Sequence, residues 1–353
     1  MQNLKIYKNI KVVVTGSTGF KGSWLCFWLS VLQAKVVGIA LRPERNSIIF
    51  KKLQLHKKIK QVYLDINNFK KLNEIIKKEK PDIIFHLAAQ SIVSLSYSKP
   101  LNTMLTNVIG SANILESVKI NKIKNLVYIT SDKCYLNDNR VTTYSEDDIL
   151  GGNDPYSASK ACAELIFHTY NKSFFQQNKK LKYVSSRAGN VIGGGDMKKD
   201  RLVPDIIRSI QKNSKLIIRN PESTRPWQHV LETLSGYLIL GDLLINKKLD
   251  KSIKPNWNFG PNISSCKTVL AMTRGIIRIW GIKKKLNIIK NKKFKESKFL
   301  ILSNNKAKKE LNWEPKLNFD ETIKLTVDWY KAFLLDHKVD ILSEQQIDYF
   351  SNK

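Results

Sequence analysis

Short runs of β-branched and aliphatic residues alternate with amphipathic segments through the first half of the chain. The run Lys11–Thr15 is followed by an amphipathic stretch and then by a second run at Lys35–Ala40. Large apolar residues in the stretch between them recur at helical spacing, at Phe20, Trp24, Leu25, Trp28 and Leu32. Further strands are predicted at Gln61–Leu64, Asp82–Leu87, Asn125–Thr130 and Lys182–Ser186, with helices near residues 68–79, 101–120 and 155–177. This alternation predicts an α/β fold with a Rossmann-like, doubly wound parallel sheet.

The pattern changes beyond about residue 190, where glycines, prolines and short elements replace the regular alternation. Helices are predicted again around Asn304–Leu311 and Phe319–Leu335. We therefore expect a Rossmann domain over residues 1–190 that carries the reactive side chains. Residues 191–353 are expected to form mainly a smaller C-terminal substrate-binding lobe, interleaved with the core.

The composition is that of a globular protein with a large core. Of the 353 residues, 42% are hydrophobic and 25% are charged, which argues against a disordered chain. The apolar runs are far shorter than the roughly 20 residues that cross a bilayer, so no membrane span is predicted. The first strand begins almost at once, which leaves no room for a targeting peptide. The four cysteines and five histidines are scattered, so we expect free thiols, a cytoplasmic location and no metal site.

The charge is strongly positive, with a formal net value of +30. Such a charge invites a nucleic-acid-binding hypothesis. However, 50 of the 60 basic residues are lysines spread along the chain, whereas phosphate-reading surfaces favour the bidentate geometry of arginine. The lysine clusters at 283–285 and 290–298 are interpreted as solvated surface, with attraction of a polyanionic small substrate as the alternative. We therefore expect no nucleic-acid partner.

A glycine-rich segment, Gly16-Ser-Thr-Gly19-Phe-Lys-Gly22, joins the first strand to the first helix. Glycines in this position allow a tight turn and a close approach of the backbone to a pyrophosphate, while the helix N-terminus supplies N–H donors. The segment predicts a dinucleotide site. The contacts expected here are Gly16, Thr18, Gly19, Phe20 and Gly22.

The type of dinucleotide is less sharply specified by the sequence. NAD sites carry an acid at the end of the second strand, but this chain has Leu41-Arg42-Pro43-Glu44-Arg45, which leans toward tolerance of the 2′-phosphate of NADP. Asp65, after the third strand, is placed to hold the adenine amino group, with Ile66 beside it. Small residues follow the fourth strand, and the contacts expected there are Leu87, Ala88 and Ala89.

Tyr156 and Lys160 are four residues apart in a predicted helix, which places them on one face. A nearby ammonium lowers a tyrosine pKa and makes the phenolate a usable base in alcohol oxidation. Chance gives such pairs in a lysine-rich chain, as at Tyr7 and Lys11. Tyr156 differs because Ser131, which ends the fifth strand 25 residues earlier, offers a hydroxyl to complete a Ser-Tyr-Lys set.

Five segments carry a more specific resemblance, in unbroken order from about residue 10 to 330. They are Thr15–Trp24, Thr130–Tyr135, Gly151–Lys160, Arg187–Asp196 and Thr224–Glu232. The chain resembles the extended short-chain dehydrogenase/reductases, the group of nucleotide-sugar dehydratases and epimerases. Within that group the segments are most similar to the dehydratases that act on CDP-glucose, and the resemblance implies NAD as the cofactor.

The resemblance implies a reaction cycle. Tyr156 would take the proton of the sugar C4 hydroxyl during transient oxidation, water would leave across C5 and C6, and the hydride would return to C6. In related dTDP-glucose enzymes an acid and a base follow the fifth strand as Asp-Glu, whereas this chain has Asp132-Lys133. Asp132 would then protonate the leaving hydroxyl and a neutral Lys133 would act at C5. The alternative is that Lys133 only pairs with Asp132.

The substrate of such an enzyme carries a pyrophosphate, so arginines and small residues are expected around it. The substrate contacts that the resemblance implies are Gln90, Asn190, Arg201, Arg219 and Arg225. Trp227 and His229 are open between substrate binding and core packing.

Two other functions are compatible with parts of the sequence. A 4-epimerase shares the oxidation step but needs no acid or base at C5 and C6, so Asp132 and Lys133 speak against it. A polyanion-binding protein on an inactive Rossmann scaffold would account for the charge, but the intact Ser131, Tyr156 and Lys160 argue against lost catalysis. A homodimer or tetramer is expected, formed through the helices at 101–120 and 155–177.

Overall fold

The computed structural model describes residues 4–44, 47–138, 140, 142–177, 181–246, 254–283, 286–289 and 299–353. The strands are β1 Lys11–Thr15, β2 Lys35–Ala40, β3 Lys60–Tyr63, β4 Ile83–His86, β5 Asn125–Ile129, β6 Lys182–Ala188, β7 Val191–Ile192, β8 Leu216–Arg219, β9 Thr224–Pro226, β10 Gln228–His229, β11 Asn256–Phe259, β12 Cys266–Thr268 and β13 Leu286–Ile289. The helices are α1 Phe20–Val31, α2 Ile49–Lys52, α3 Leu55–Lys58, α4 Phe69–Glu79, α5 Val93–Ser98, α6 Pro100–Met104, α7 Gly110–Ile120, α8 Pro155–Tyr170, α9 Leu202–Gln211, α10 Val230–Ile245, α11 Val269–Trp280, α12 Asn305–Leu311, α13 Phe319–Leu334 and α14 Val339–Asn352.

Seven parallel strands form the central sheet of the described residues, in the order β11-β6-β5-β4-β1-β2-β3. Helices cover both faces of the sheet, so the side chains on both sides of its central strands are buried. These strands are therefore continuous runs rich in valine and isoleucine, without alternating polar residues. Val13 of β1, for example, pairs with Val37 on one side and Ile84 on the other. The α/β Rossmann-like fold predicted from the sequence is confirmed.

The strand order reverses beside β1, whose neighbours β2 and β4 come from crossovers in opposite directions. In open parallel sheets, ligands bind at the carboxyl edge next to such a reversal. Thr15 at the end of β1 pairs with His86 at the end of β4. The glycine-rich loop and the loop after β4 therefore lie side by side at this edge.

The later half of the chain contributes strands to the central seven-stranded sheet and also forms the smaller two-stranded sheets. Strand β11 pairs with β6, with Asn256 opposite Ser185. Helix α10 packs against β5 and β6, and Tyr7 Oη donates to Leu238 O of α10 over 2.7 Å. Three two-stranded sheets, β7 with β10, β9 with β12 and β8 with β13, complete the described strands. The division at residue 190 remains a prediction.

The predicted elements agree with the structure to within one or two residues, except for the two longest helices of the first half of the chain. The segment predicted as one helix at 101–120 is divided by a π-helical turn, Leu105–Ile109, between α6 and α7. The helix predicted at 155–177 ends as α8 at Tyr170 and is followed by a π-helical turn, Asn171–Phe175. The C-terminal helix α14 was not predicted, and neither were α2, α3, α5, α9, α10 and α11. Helix α14 packs on α13 and contacts α1, so its apolar face is defined by these neighbours.

No helix within the described ranges is long and apolar enough to span a membrane. The described residues likewise contain no group of three or more His, Cys, Asp or Glu side chains arranged to hold a metal ion.

Candidate active site

The glycine-rich loop after β1 is closed against the loop that follows β4. Gly16 has a φ of +73°, and a Cβ on it would lie 2.9 Å from the backbone of Ala88. A Cβ on Gly22 would lie 2.1 Å from the carbonyl oxygen of Gly16. Thr15 Oγ1 accepts the backbone N–H groups of Leu87 and Ala88 over 3.1 and 3.2 Å. The two loops therefore form one narrow cradle at the N-terminus of α1.

Thr18 and the ends of β2 and β3 form the outer part of this cradle. Thr18 Oγ1 donates to Leu41 O over 3.0 Å, which joins the glycine-rich loop to the end of β2. The exposed Arg42 guanidinium stacks 4.6 Å from the ring centre of Tyr63, which ends β3. Asp65 is exposed and accepts the N–H of Asn67 over 2.9 Å.

Two further predicted cofactor contacts, Ile66 and Phe20, lie in packed positions. Ile66 is buried, and its Cδ1 lies 2.7 Å from where a Cβ on Gly110 would be. Phe20 begins α1, half-buried, with its ring close to Gly193. Gly19 precedes it with an exposed surface, whereas Ala89 is half-buried.

Tyr156 and Lys160 lie on the first turns of α8, and both are buried at 7% and 5% exposure. Asp154 caps this helix by accepting the N–H of Ser157 over 3.0 Å, which fixes the turn that carries Tyr156. Burial lowers the pKa of Lys160 to about 8, although Cys134 and Glu164 raise it. Its ammonium is thus poised to change charge near neutral pH.

The pKa of Tyr156 departs from the sequence-based expectation. Burial raises it to about 12, and the hydrogen bond from Ser131 and the charge of Arg201 lower it only in part. The sequence predicted a lowered value. The direction is reversed because a phenolate is poorly solvated in this interior, and the neighbouring donors and cations do not fully compensate for that loss.

The short 3₁₀ segment Asp132–Cys134 packs against α8. Ser131 Oγ donates to Asp132 Oδ1 over 2.8 Å and accepts the N–H of Lys133 over 3.3 Å. Asp132 is buried, whereas Lys133 is half-buried. No ion pair joins Lys133 to Asp132 among the described contacts, so the pairing alternative for Lys133 finds no support in the geometry.

Asn107 was missed by the sequence analysis. It lies buried in the π-helical turn, where its Nδ2 donates to Ser159 Oγ over 2.9 Å and to Gln90 O over 3.0 Å. Ser159 in turn donates to Tyr156 O over 2.7 Å. The feature that marks Asn107 is the π-helical turn, which is visible in the structure and not in the sequence.

Gln90, predicted to bind substrate, uses its side chain within its own loop. Its Nε2 donates to Ile92 O and Thr103 Oγ1, and its Oε1 accepts the N–H of Ile92. These bonds shape the loop between β4 and α5. Substrate contact by Gln90 stays a prediction.

Lys21 brings a second lysine to the site. Its Nζ donates to Tyr237 Oη over 3.3 Å, and burial together with the charges of Lys160 and Arg201 lowers its pKa to about 8. Lys21 was not predicted as a site residue. The only indication in the sequence was its position as a charged residue inside the glycine-rich segment.

Arg201 lies beside Tyr156, within electrostatic range of the phenol. Its guanidinium donates to Asp196 Oδ2 over 2.7 Å and to Ser91 Oγ over 3.0 Å. Asn190 adopts a left-handed backbone, with φ of +45°, in the short connection between β6 and β7.

The other two predicted arginines lie further along the chain. Arg225 is half-buried on β9 and donates to Thr224 O over 2.9 Å. The side chain of Arg219, at the end of β8, is outside the described residues. Trp227 and His229 are both buried, with Trp227 Nε1 bound to Lys267 O over 2.8 Å and the His229 ring packed near Trp24. Both side chains pack in the core, and a role of either residue in substrate binding stays a prediction.

Comparison with known proteins gives relatives over nearly the whole chain. Residues 13–326 match the family model described as GDP-mannose 4,6 dehydratase. CDP-glucose 4,6-dehydratase of Salmonella typhimurium is 42% identical over 357 residues, covering 99% of each chain. The dTDP-D-glucose 4,6-dehydratase of Dictyostelium discoideum is 26% identical, over 91% of this chain and 81% of that one.

Solved structures agree on the fold. The dTDP-glucose 4,6-dehydratase of Bacillus anthracis, in complex with NAD, superposes with a TM-score of 0.76 at 26% identity, covering 94% of this chain and 99% of that one. A UDP-glucose 4-epimerase of Thermotoga maritima gives a TM-score of 0.80 at 23% identity, over 92% and 100% of the two chains. The chain therefore belongs to the GDP-mannose 4,6-dehydratase family, a family of nucleotide-sugar-modifying enzymes within the extended short-chain dehydrogenase/reductases.

Proposed function

We propose that this enzyme dehydrates CDP-glucose to CDP-4-keto-6-deoxyglucose. The observation that carries the proposal is the position of the buried Asp132 beside Tyr156, where both its charge and the Ser131 hydroxyl act on the phenol. An oxidation site needs only the tyrosine, the lysine and the serine. A carboxyl group in the same cluster supplies the acid that loss of water requires. The Salmonella relative, 42% identical, supports CDP-glucose as the substrate.

The cradle at the end of β1 fits a dinucleotide. A Cβ on Gly16 would collide with the backbone of Ala88, and one on Gly22 with the carbonyl of Gly16, so only glycine allows this tight loop at the N-terminus of α1. The N-terminal N–H groups of such a helix are suited to bind phosphate. We assign NAD, the cofactor held by the Bacillus anthracis relative, to Gly16, Thr18, Gly19, Phe20 and Gly22. The loops after β3 and β4 add Asp65, Ile66, Leu87, Ala88 and Ala89. Held there, NAD would supply the hydride acceptor for oxidation at C4 and the hydride for return to C6.

The first step needs a base at the C4 hydroxyl. Tyr156 is that base, and Ser131 shares the hydrogen bond to the same oxygen. Arg201 places positive charge near the phenol, which favours the phenolate form. This charge opposes the effect of burial, which favours the neutral phenol. Lys160 lies one helical turn after Tyr156 on the same face of α8.

The second step removes a proton at C5 and delivers one to the C6 hydroxyl. Lys133 is assigned to C5, and Asp132 to the leaving hydroxyl. Lys133 is half-buried, and no ion pair among the described contacts joins its amine to the adjacent Asp132 carboxylate. Asp132 is buried and packs against the backbone of Gly189, in the same cluster as Ser131 and Tyr156.

Binding of the nucleotide diphosphate is assigned to Arg201, Arg219, Arg225 and Asn190, with Gln90 shaping the adjoining loop. Arg201 is the best supported of these, because Asp196 and Ser91 hold its guanidinium near Tyr156. Incubation with CDP-glucose tests the whole proposal. A 4-keto-6-deoxy product, detected by its absorbance in alkali, is expected, and a C4 epimer without that product would contradict it.

A homodimer is also part of the proposal. Several large apolar side chains on the helices α5, α6, α8 and the π-helical turn are exposed, among them Leu95, Tyr97, Leu101, Leu105, Ile109 and Leu165. Helices α5 and α6 and the π-helical turn all pack against α8, and exposed apolar residues gathered on neighbouring elements often mark a protein–protein interface. Sedimentation equilibrium is expected to give twice the mass of the chain or a multiple of it, and Leu105→Glu to reduce it. The cytoplasmic location stays a prediction from the sequence.

A further inference from the structure

Arg187 of β6 and Glu164 of α8 form a buried ion pair behind the proposed catalytic residues. Arg187 Nη2 donates to Glu164 Oε2 over 2.8 Å, and the two side chains are 4% and 2% exposed. Two hydroxyls, from Thr130 and Ser185, also donate to the Glu164 carboxylate. The carboxylate therefore has a hydrogen-bond donor at each oxygen.

The ion pair is hydrogen-bonded to both ends of residues 130–135, here called the catalytic segment. Thr130, its first residue, donates to Glu164 Oε1. Tyr135, its last residue, receives a hydrogen bond from Arg187 Nη1 over 2.7 Å, and the guanidinium lies 5.0 Å from the centre of its ring. One ion pair thus fixes the segment that contains the serine, the aspartate and the lysine of the proposed mechanism.

Glu164 also lies one helical turn after Lys160, so the pair joins the catalytic segment to the helix that carries Tyr156 and Lys160. Buried ion pairs contribute little net stability, because desolvation offsets the attraction, and apolar residues of similar volume often replace them without loss. A contribution to the stability of the fold therefore does not explain well why the chain has this buried ion pair.

We propose that Glu164 and Arg187 are positioning residues that hold the catalytic segment in register with Tyr156 and Lys160. This inference rests on the proposed function. Neither residue touches substrate; both act through the backbone and side chains that they hold.

The pair has an electrostatic consequence that can be measured. Glu164 raises the pKa of Lys160 against the effect of burial, with Cys134 acting in the same direction. Among the described residues, the charge of Lys160 also acts on Lys21 and His86 and lowers the pKa of each. Activity that needs the Lys160 ammonium falls as pH rises through its pKa, about 8. Without Glu164 this fall is expected at lower pH.

The central experiment replaces both charges at once, with Glu164→Met and Arg187→Met in one protein. The double change leaves no unpaired buried charge, so the fold is expected to persist. We expect kcat with CDP-glucose to fall by about 10²-fold, the loss typical of reacting groups displaced by about 1 Å, with KM within a few fold. The alkaline limb of the kcat profile is expected to move to lower pH.

A milder variant and a control accompany it. Thr130→Val removes only the hydroxyl that binds Glu164, and we expect a smaller fall in kcat with KM and thermal stability close to wild type. Glu79→Gln removes another buried carboxylate from an ion pair, with Lys60 at 2.5 Å, far from the site. It is expected to lower stability and leave kcat and its pH profile unchanged.

The outcomes separate the two proposals. Loss of turnover in Tyr156→Phe, with conversion by the wild type, upholds the proposed function by itself. If the folded double variant then keeps wild-type kcat and the wild-type alkaline limb, Glu164 and Arg187 are only structural and the inference is overturned. If the double variant does not fold, Thr130→Val decides, and an unchanged kcat in that variant overturns the inference equally.

Discussion

The carboxylate of Asp132 lies directly against the backbone of Gly189. A Cβ built on Gly189 would fall 1.9 Å from Asp132 Oδ2 and 2.1 Å from its Cγ. Gly189 follows β6 and its carbonyl accepts Gln228 Nε2 over 2.9 Å, so its backbone cannot easily retreat. The space for the proposed acid therefore depends on the absence of a side chain 57 positions later in the sequence.

Gly189→Ala is expected to displace Asp132 and to slow release of the 4-keto-6-deoxy product by about 10²-fold. Reduction of bound NAD by CDP-glucose, which needs Tyr156 and not Asp132, is expected to survive. Rapid mixing with absorbance at the reduced-nicotinamide band measures the first step separately. Gly281→Ala, at a left-handed position with open space around it, is the control for general destabilisation. Equal loss of both steps in Gly189→Ala would contradict this account.

Tyr156→Phe is expected to abolish turnover while CDP-glucose binds within a few fold of wild type. Only the phenolic oxygen is lost, and removal of a general base typically costs about 10²–10⁴ in rate. Steady-state assays and calorimetric titration measure the two quantities. Tyr7→Phe is the matched control, since Tyr7 also has a lysine four positions on, and its hydroxyl binds Leu238 O in the core. That variant is expected to lose about 1 kcal/mol of stability and no activity.

Lys133→Met and Asp132→Asn are expected to fail at different points after oxidation. Both variants should reduce bound NAD on mixing with CDP-glucose and release little product. Exchange of the C5 hydrogen with deuterium from solvent is expected to stop in Lys133→Met and to persist in Asp132→Asn, because only the first loses the base at carbon. Normal exchange in Lys133→Met, followed by NMR, would assign that base to another residue; Lys21 is then the next candidate, with its pKa lowered to about 8 chiefly by burial.

Arg42 is expected to weaken discrimination between NAD and NADP. Its guanidinium is held over Tyr63 at the outer end of the cradle, and no carboxylate stands at the end of β2 to repel a 2′-phosphate. Fluorescence titration of the protein with each dinucleotide should show NAD preferred by a modest factor, and Arg42→Asp should enlarge it. Complete rejection of NADP by the wild type would show that Arg42 does not face the ribose.

The charge of +30 is expected to give only weak, sequence-independent binding to nucleic acid. When dispersed lysines bind phosphates, counterions are released from the nucleic acid but no base is recognised. The affinity for nucleic acid should therefore fall steeply between about 50 and 200 mM salt. Gel-shift titration with two unrelated duplexes measures this. Nanomolar affinity at physiological salt with preference for one duplex would favour the polyanion-binding function instead.

The sequence by itself determined the features that depend on neighbours along the chain. Strands such as Lys11–Thr15 and Lys35–Ala40 follow from local runs of β-branched residues that only a sheet covered on both faces can bury. The glycine-rich turn, and the shared face of Tyr156 and Lys160, follow from spacing alone. These patterns and the resemblance that they carry were sufficient for the fold and the family.

The tertiary structure decided what depends on residues brought together from distant positions. Strand order sets Gly189 against Asp132 and Arg187 against Glu164, and no local pattern marks either pairing. The same holds for the raised pKa of Tyr156, because burial is a property of the assembled core and outweighs the neighbouring charges that the sequence had suggested. The spacing of residues along the chain determines which groups share one face of a helix. Tertiary packing determines how well each group is solvated and therefore which charge state it favours.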